Sequence, residues 1–213
     1  MTTKKIFISA LILLVAIFIT ATVVYKSQSA PSLSKEAISA LERENAPVKG
    51  GKNAKVTIVE FFDPACETCR RFYPLVNNIL KIYQGRVKVV MRYAPFHQGS
   101  EDVVKMLEAA HLQGQFWPAA ELLMANQQQW VAHHVSNPEK ALAGLKTLPL
   151  DHAQLEKDWR SSEISRIVKQ DIEDGKTLKV RATPQFFVNG KPLVIFGYEP
   201  LVQLIEEAIE EAY

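Results

Sequence analysis

Lys55-Val-Thr-Ile-Val-Glu-Phe-Phe62 runs without a break into Asp63-Pro-Ala-Cys66-Glu-Thr-Cys69, and this junction decides the fold. Residues 55–62 are almost continuously apolar and rich in β-branched and aromatic side chains. That pattern is expected of a strand covered on both faces. From about Cys66 to Tyr83 the apolar residues recur at helical spacing, with Pro74 inside the segment, where a proline removes a hydrogen bond and kinks the helix. Arg86-Val-Lys-Val-Val-Met-Arg-Tyr93 is a second strand. Strand, helix, strand predicts a parallel βαβ unit and an α/β fold.

The chemistry sits at the first strand-to-helix junction. The only two cysteines of the chain are Cys66 and Cys69. Cys66 is placed at the start of the helix, where free backbone N–H groups and the macrodipole favour a thiolate. A depressed thiol pKa is what a disulfide-exchange nucleophile needs. Cys69 follows one turn later, within reach to resolve a mixed disulfide. Two other readings compete, a half zinc site and an inert structural disulfide. Zinc would need two further ligands, and the adjacent pair His133-His134 has the wrong spacing to supply them. A disulfide closing so small a ring adds little stability. The expected reading is a redox-active pair, with no metal and no cofactor.

Between residues 98 and 177 no good strand is expected. Helical patterns cover 100–112, 115–126, 138–146, 151–160 and 162–175, punctuated at Gly114, Asn137-Pro138 and Pro149, with Asp151 a plausible N-cap. The strand pattern returns at Pro184-Gln-Phe-Phe-Val188. Asn189-Gly190 is a strong hairpin-turn signal, and Lys191-Pro-Leu-Val-Ile-Phe196 is the expected returning strand. A final helix spans Glu199 to Ala212, with Leu201, Leu204, Ile205 and Ile209 on its inner face.

Taken together, Glu60-Phe-Phe-Asp-Pro-Ala-Cys66-Glu-Thr-Cys69, Pro74, Gly114-Gln-Phe-Trp117 and Thr183-Pro184-Gln-Phe-Phe-Val-Asn-Gly190 resemble the DsbA-like branch of the thioredoxin superfamily. The resemblance covers about residues 53–213. It implies a thioredoxin fold with an inserted helical domain, and thiol–disulfide oxidoreductase activity. Cys66 matches the family's exposed nucleophile and Cys69 its buried resolving cysteine. Pro184 matches its cis-proline, which leaves the backbone of Thr183 free to pair with an extended substrate. Glu60 matches the acidic residue beneath the disulfide, where burial would raise its pKa and let it relay a proton from Cys69. The chain departs from the pattern in two places. The dipeptide between the cysteines is Glu67-Thr68 rather than the Pro-His of the most oxidising relatives, so Glu67 is expected to oppose ionisation of Cys66, with Arg70 and Arg71 offsetting part of this. Ala182 replaces a glycine common before the Thr-Pro pair.

The remaining composition limits what else the chain can be. Of 213 residues, 47% are hydrophobic and 23% charged, an ordinary globular mix. Residues 27–213 carry 22 basic and 23 acidic side chains, which gives no electrostatic reason to bind nucleic acid. Ile6 to Val24 is a run of 19 residues without charge, preceded by Lys4 and Lys5. At helical rise it would span roughly 28 Å, about the hydrocarbon thickness of a bilayer. It is expected to be an uncleaved signal anchor, with a cleaved signal peptide (1–26) as the alternative. The body is then expected outside the cytoplasm, periplasmic in a bacterium, because the short basic end normally stays inside. Residues 27–52 read as a tether holding a short helix that Ser34 caps, with Ala37, Ile38 and Leu41 on one face, and too short for a dimerisation domain, so a monomer is expected. The thioredoxin domain would comprise 53–97 and 178–213, and the helical insertion 98–177.

The expected function is disulfide exchange on exported proteins with cysteines, as an oxidase recycled by a membrane or soluble redox partner. Running the site in reverse gives a reductase or isomerase. A membrane-tethered module that only binds polypeptide is the non-enzymatic alternative. His97, His111 and His152 are expected to be surface or satisfied residues. Phe116, Trp117, Trp130 and Trp159 read as core of the helical region, Gln127-Gln-Gln129 as a solvated helix end, and Glu206-Glu207 with Glu210-Glu211 as a solvent face.

Overall fold

The central strand β2 (Val56–Phe62) is buried at every position, as its unbroken apolar run requires. β3 (Val87–Tyr93) pairs with it in parallel, from Val56 opposite Val87 to Phe62 opposite Tyr93. On its other side β2 pairs antiparallel with β6 (Gln185–Val188). β1 (Val48–Gly50) lies antiparallel outside β3, and β7 (Lys191–Pro192) outside β6, giving the order β1-β3-β2-β6-β7. The structure is a computed structural model that describes Leu13 and residues 35–213. Apart from Leu13, the apolar run 6–24 and the expected cap Ser34 lie outside the described residues. Among the described residues no helix is long and apolar enough to cross a membrane.

The period of two along β2 divides its side chains between two cores. Val56, Ile58 and Phe62 face a large core shared with α2 (Glu67–Ile82), with α3 (Ser100–Leu112), α4 (Phe116–Ala125), α5 (Gln127–Trp130) and α6 (Pro138–Leu145), and with α9 (Tyr198–Ala212). Val59 and Phe61 face a smaller one, closed by α1 (Lys35–Leu41) and by Leu178 and Val180. α7 (His152–Asp158) and α8 (Ser162–Thr177) complete the helical segment, with Asp151 and Ser161 accepting from the N–H groups of Gln154 and Ile164 as side-chain caps. Pro74 sits inside α2, which continues for 16 residues through it.

One cation crosses the small core. By alternation Arg92 of β3 points toward α1 and α8, and it is completely buried. Its Nε and Nη2 donate to Asp171 at 3.1 and 2.8 Å, and Nη2 also donates to Asp174 at 2.6 Å. Its Nη1 donates to the carbonyls of Ala40 and Leu41 at 2.6 and 2.8 Å, at the negative end of α1. Asp174 also takes a two-pronged bond from Arg43, and Asp171 accepts the backbone N–H of Tyr93 at 2.8 Å. Sheet, N-terminal helix and the last helix of the insertion are thus joined through a single guanidinium.

Four expectations are corrected here. Residues 35–52 are not a free tether: α1 helps to close the small core and β1 extends the sheet. Gly50 and Gly51 make that possible, since a Cβ on Gly50, at φ +126°, would sit 2.6 Å from the Val87 carbonyl. Within α1 the buried residues are Ala37, Ala40 and Leu41, whereas Ile38 is exposed. The returning strand ends at Pro192, which has no N–H to donate. After Leu193 donates to Phe186 the chain leaves the sheet, and Val194, Ile195 and Phe196 stand exposed. Finally, the insertion does carry strands: β4 (Val131–Ala132) and β5 (Val135–Ser136) form a two-stranded hairpin whose turn residues His133 and His134 both adopt positive φ.

The Asn189-Gly190 turn forms as the sequence signals, with φ of 45° and 82°. Asn189 also accepts the Thr57 N–H at 2.8 Å, fixing the hairpin to β2.

Removing one partner of a buried ion pair leaves an uncompensated charge. Asp171→Ala leaves Arg92 with Asp174 as its one carboxylate and the Tyr93 N–H without its acceptor, and is expected to lower unfolding stability by about 3 kcal/mol in a denaturant titration. Glu101→Ala, which removes an exposed pair with Lys105, is expected to cost less than about 1 kcal/mol.

Candidate functional site

β2 delivers Glu60 to the same face as Ile58 and Phe62, the face covered by α2. The chain then turns through Asp63-Pro64-Ala65, and Cys66 caps α2 with extended backbone at φ −75° and ψ 122°. The Cys66 N–H donates back to the Asp63 carbonyl at 3.0 Å. From the other half of the fold, α8 ends at Thr177, Lys179 just beyond it adopts φ 58°, and the Val180 N–H donates to the Gly175 carbonyl at 2.8 Å. Four residues later the Thr183–Pro184 peptide is cis. Here the halves meet: the Cys66 thiol donates to the Thr183 carbonyl at 3.2 Å. The five residues singled out in the sequence, Glu60, Cys66, Cys69, Thr183 and Pro184, therefore converge. Both cysteines are thiols, and both are buried, Cys69 more deeply with 1% exposed against 7% for Cys66.

The three ionisable groups are pushed in different directions. The Cys66 thiol is lowered to about 5, chiefly by the Cys69 thiol donating to it, against the penalty of burial, with further help from the Thr183 side chain and from the backbone N–H groups of Cys69 and Thr68. Cys69 is pushed well above its ordinary value by burial, by donating to Cys66, and by the nearby charges of Glu60 and Cys66. Glu60 is raised to about 8, mainly by burial and then by Cys66. One of its carboxylate oxygens is buried without a hydrogen-bond partner, which favours the protonated form. Glu67, expected to oppose the Cys66 thiolate, points into solvent and is not among the groups that move it.

Two residues that hold the turn escaped the sequence reading. Asp63 is fully buried and accepts from five donors: the N–H groups of Ala65, Phe96 and His97, the Ser100 hydroxyl, and the His97 ring at 2.7 Å. Its signal was present, since Asp before Pro at a strand end is a turn residue that bonds nearby backbone. Gln127 corrects an expectation outright. Read as part of a solvated helix end, it is 2% exposed, and its side-chain amide donates to the carbonyls of Pro64 at 2.7 Å and Cys66 at 3.0 Å. Nothing in three consecutive glutamines distinguishes the buried one. Beside the site, Phe196 stacks on Phe72 of α2 with ring centroids 4.7 Å apart, and Phe72 in turn meets Phe186 at 5.8 Å. Among the described residues no cluster of His, Cys, Asp and Glu could hold a metal ion.

The titrations give signed expectations. Cys66 should be alkylated by iodoacetamide with a midpoint near pH 5. Cys69→Ala, which removes the principal thiolate donor, should move that midpoint upward. A lowered thiol pKa stabilises the folded dithiol increasingly from about pH 5 up to the ordinary thiol value of 9.0 and fully above it, so the reduced protein should gain stability over the oxidised form at pH 7 and lose that gain as pH falls through about 5. Glu60 acts in the opposite sense. Between the unfolded carboxyl value of 4.5 and about 8 the folded protein holds the extra proton, so stability falls as pH rises through that window. Glu60→Gln should flatten this slope in oxidised protein followed by chemical denaturation.

Residues 42–207 match the thioredoxin family. The chain is similar to a thioredoxin-like oxidoreductase from Silicibacter pomeroyi DSS-3, with 25% identity, a TM-score of 0.71, and coverage of 84% of this chain and 99% of that one. Oxidised BdbD from Bacillus subtilis is also 25% identical, with a TM-score of 0.67 and coverage of 78% and 94%. Na(+)/H(+) antiporter NhaA 3 of Salinispora tropica is 31% identical over 147 residues, which are 68% of this chain but only 22% of that protein. The chain thus spans less than a quarter of the length of that curated relative. The family match runs from β1 through the helical insertion into α9, and the chain belongs to the thioredoxin family.

Proposed function

We propose that this protein is a thiol–disulfide oxidoreductase that introduces disulfides into exported proteins, with Cys66 as its exchanging sulfur. The observation that carries the reading is the opposed pair of thiols at the head of α2, one lowered to about 5 and the other raised. In the oxidised form a substrate thiolate attacks Sγ of Cys66. The Cys66–Cys69 bond breaks and Cys69 leaves, taking a proton that Glu60 supplies from its protonated carboxyl. A second substrate thiolate then attacks the substrate sulfur of the mixed disulfide, and Cys66 leaves as a stable thiolate. Two electrons have passed from the substrate dithiol to the protein, and a redox partner removes them to restore the disulfide. A low leaving-group pKa favours this direction, because it stabilises the reduced enzyme.

The extended substrate pairs with the backbone at Thr183, ahead of Pro184, by strand addition. The exposed side chains of Val194, Ile195 and Phe196 offer apolar surface close by, suited to unfolded chains. Residues 98–177 form the inserted helical domain, and 53–97 with 178–213 the thioredoxin domain. The run at 6–24 carries the body across, or anchors it at, the cytoplasmic membrane as a monomer.

Trapping the cysteines by rapid alkylation in the native host is expected to find them mostly as the disulfide, and mostly free thiols would assign the site to reduction or isomerisation instead. Cys69→Ser should accumulate mixed disulfides through Cys66 on non-reducing gels. Intact peptide binding without any such adduct would point to a non-enzymatic binding module. Glu60→Gln should slow turnover by roughly tenfold or more if the carboxyl carries the proton.

A further inference from the structure

Gln127 belongs to the helical insertion, yet it contacts the exchange site rather than the insertion's own core. Its amide nitrogen faces two carbonyl oxygens, those of Pro64 and Cys66. Two acceptors can be served only by the NH2 end of the side chain, so the orientation of the amide is set by its partners. The Cys66 carbonyl belongs to the rigid peptide plane that joins Cys66 to Glu67, and it also accepts the Arg70 N–H as the first bond of α2, at 3.1 Å. Holding that oxygen holds the first peptide of the helix, and with it the direction in which Cys66 leaves the cap position. The Pro64 carbonyl fixes the plane on the other side of Ala65. Asp63 ties the start of the turn to the loop that precedes α3, and Gln127 grips its end from α5.

We infer that Gln127 is a positioning residue of the exchange reaction, through which the helical insertion holds Cys66 in register with the donors of Cys69, Thr68 and Thr183. No protein side chain other than that of Gln127 is seen to donate to these two carbonyls among the described residues. An insertion that shifted relative to the sheet would move this amide, and so would change how well the sulfur is held. The inference rests on the exchange function proposed for Cys66 and adds to it a role for a residue outside the thioredoxin core.

The test compares wild type, Gln127→Leu and Gln127→Glu as full-length reduced protein, following iodoacetamide labelling of Cys66 across pH beside a denaturation midpoint. Leucine fills similar volume but donates nothing. It should move the labelling midpoint upward and cut the rate at pH 6 by roughly threefold or more, because the thiolate fraction falls. Glutamic acid can donate only while protonated, so its labelling should approach wild type at low pH and fall away from it as the buried carboxyl ionises. If Gln127→Leu unfolds, the glutamate variant alone decides the matter through that divergence of profiles with rising pH. A wild-type midpoint near that of free cysteine would sink the exchange function itself. A low wild-type midpoint that both variants share would overturn the role of Gln127 while leaving exchange intact. A fall in stability without any change in the labelling profile would make Gln127 merely structural, and would equally overturn it.

Discussion

A guanidinium with no access to water must find every partner it needs inside the protein, and Arg92 finds them on two helices besides its own strand. The cost of leaving such a group uncompensated is several times that of losing an exposed pair. This arrangement fixes α8 against the sheet through Asp171 and Asp174, and fixes α1 through its terminal carbonyls. The consequence reaches the chemistry. α8 leads through Lys179 and Val180 directly to the Thr183–Pro184 loop, so the place of the Thr183 carbonyl against Cys66 is inherited from a charge buried on the opposite face of the sheet.

On the near face the same low-polarity interior is put to different use. Burial alone would keep all three of Glu60, Cys66 and Cys69 neutral. Glu60 and Cys69 obey that rule. Cys66 escapes it because a thiol, two backbone N–H groups at the head of α2 and the Thr183 side chain are arranged around one sulfur. A small difference in exposure and a handful of donors separate a sulfur whose ionised form is favoured from one that retains its proton. That difference is what gives an exchange reaction a preferred direction at each step.

The sheet, the order of its helices and the reactive pair could be read in the sequence because each leaves a local pattern: an apolar run for β2, a period of 3.6 for α2, a cysteine at their junction, Asn189-Gly190 at the turn. The supports left none. Arg92 sits in an alternating strand where a charge reads as solvent-facing, and its partners Asp171 and Asp174 look like the polar side of an amphipathic helix. Gln127 is one of three identical residues, and only the packing of α5 against the β2–α2 turn tells it from its neighbours. The residues 35–52 were legible as polar loop and short helix, but their docking depends on long-range pairing of β1 with β3, which composition does not encode. Likewise Pro192 was visible, and its missing donor is the physical reason the last hairpin stops after two residues.

That truncated hairpin matters for more than the shape of the sheet. Outer strands that are long and flat recruit other chains along their unpaired edges, which is a route to aggregation. Here one border of the sheet is three residues long and the other two, with a proline in the shorter. Such borders are poor templates, so among the described residues the sheet offers little edge along which a second chain could add itself.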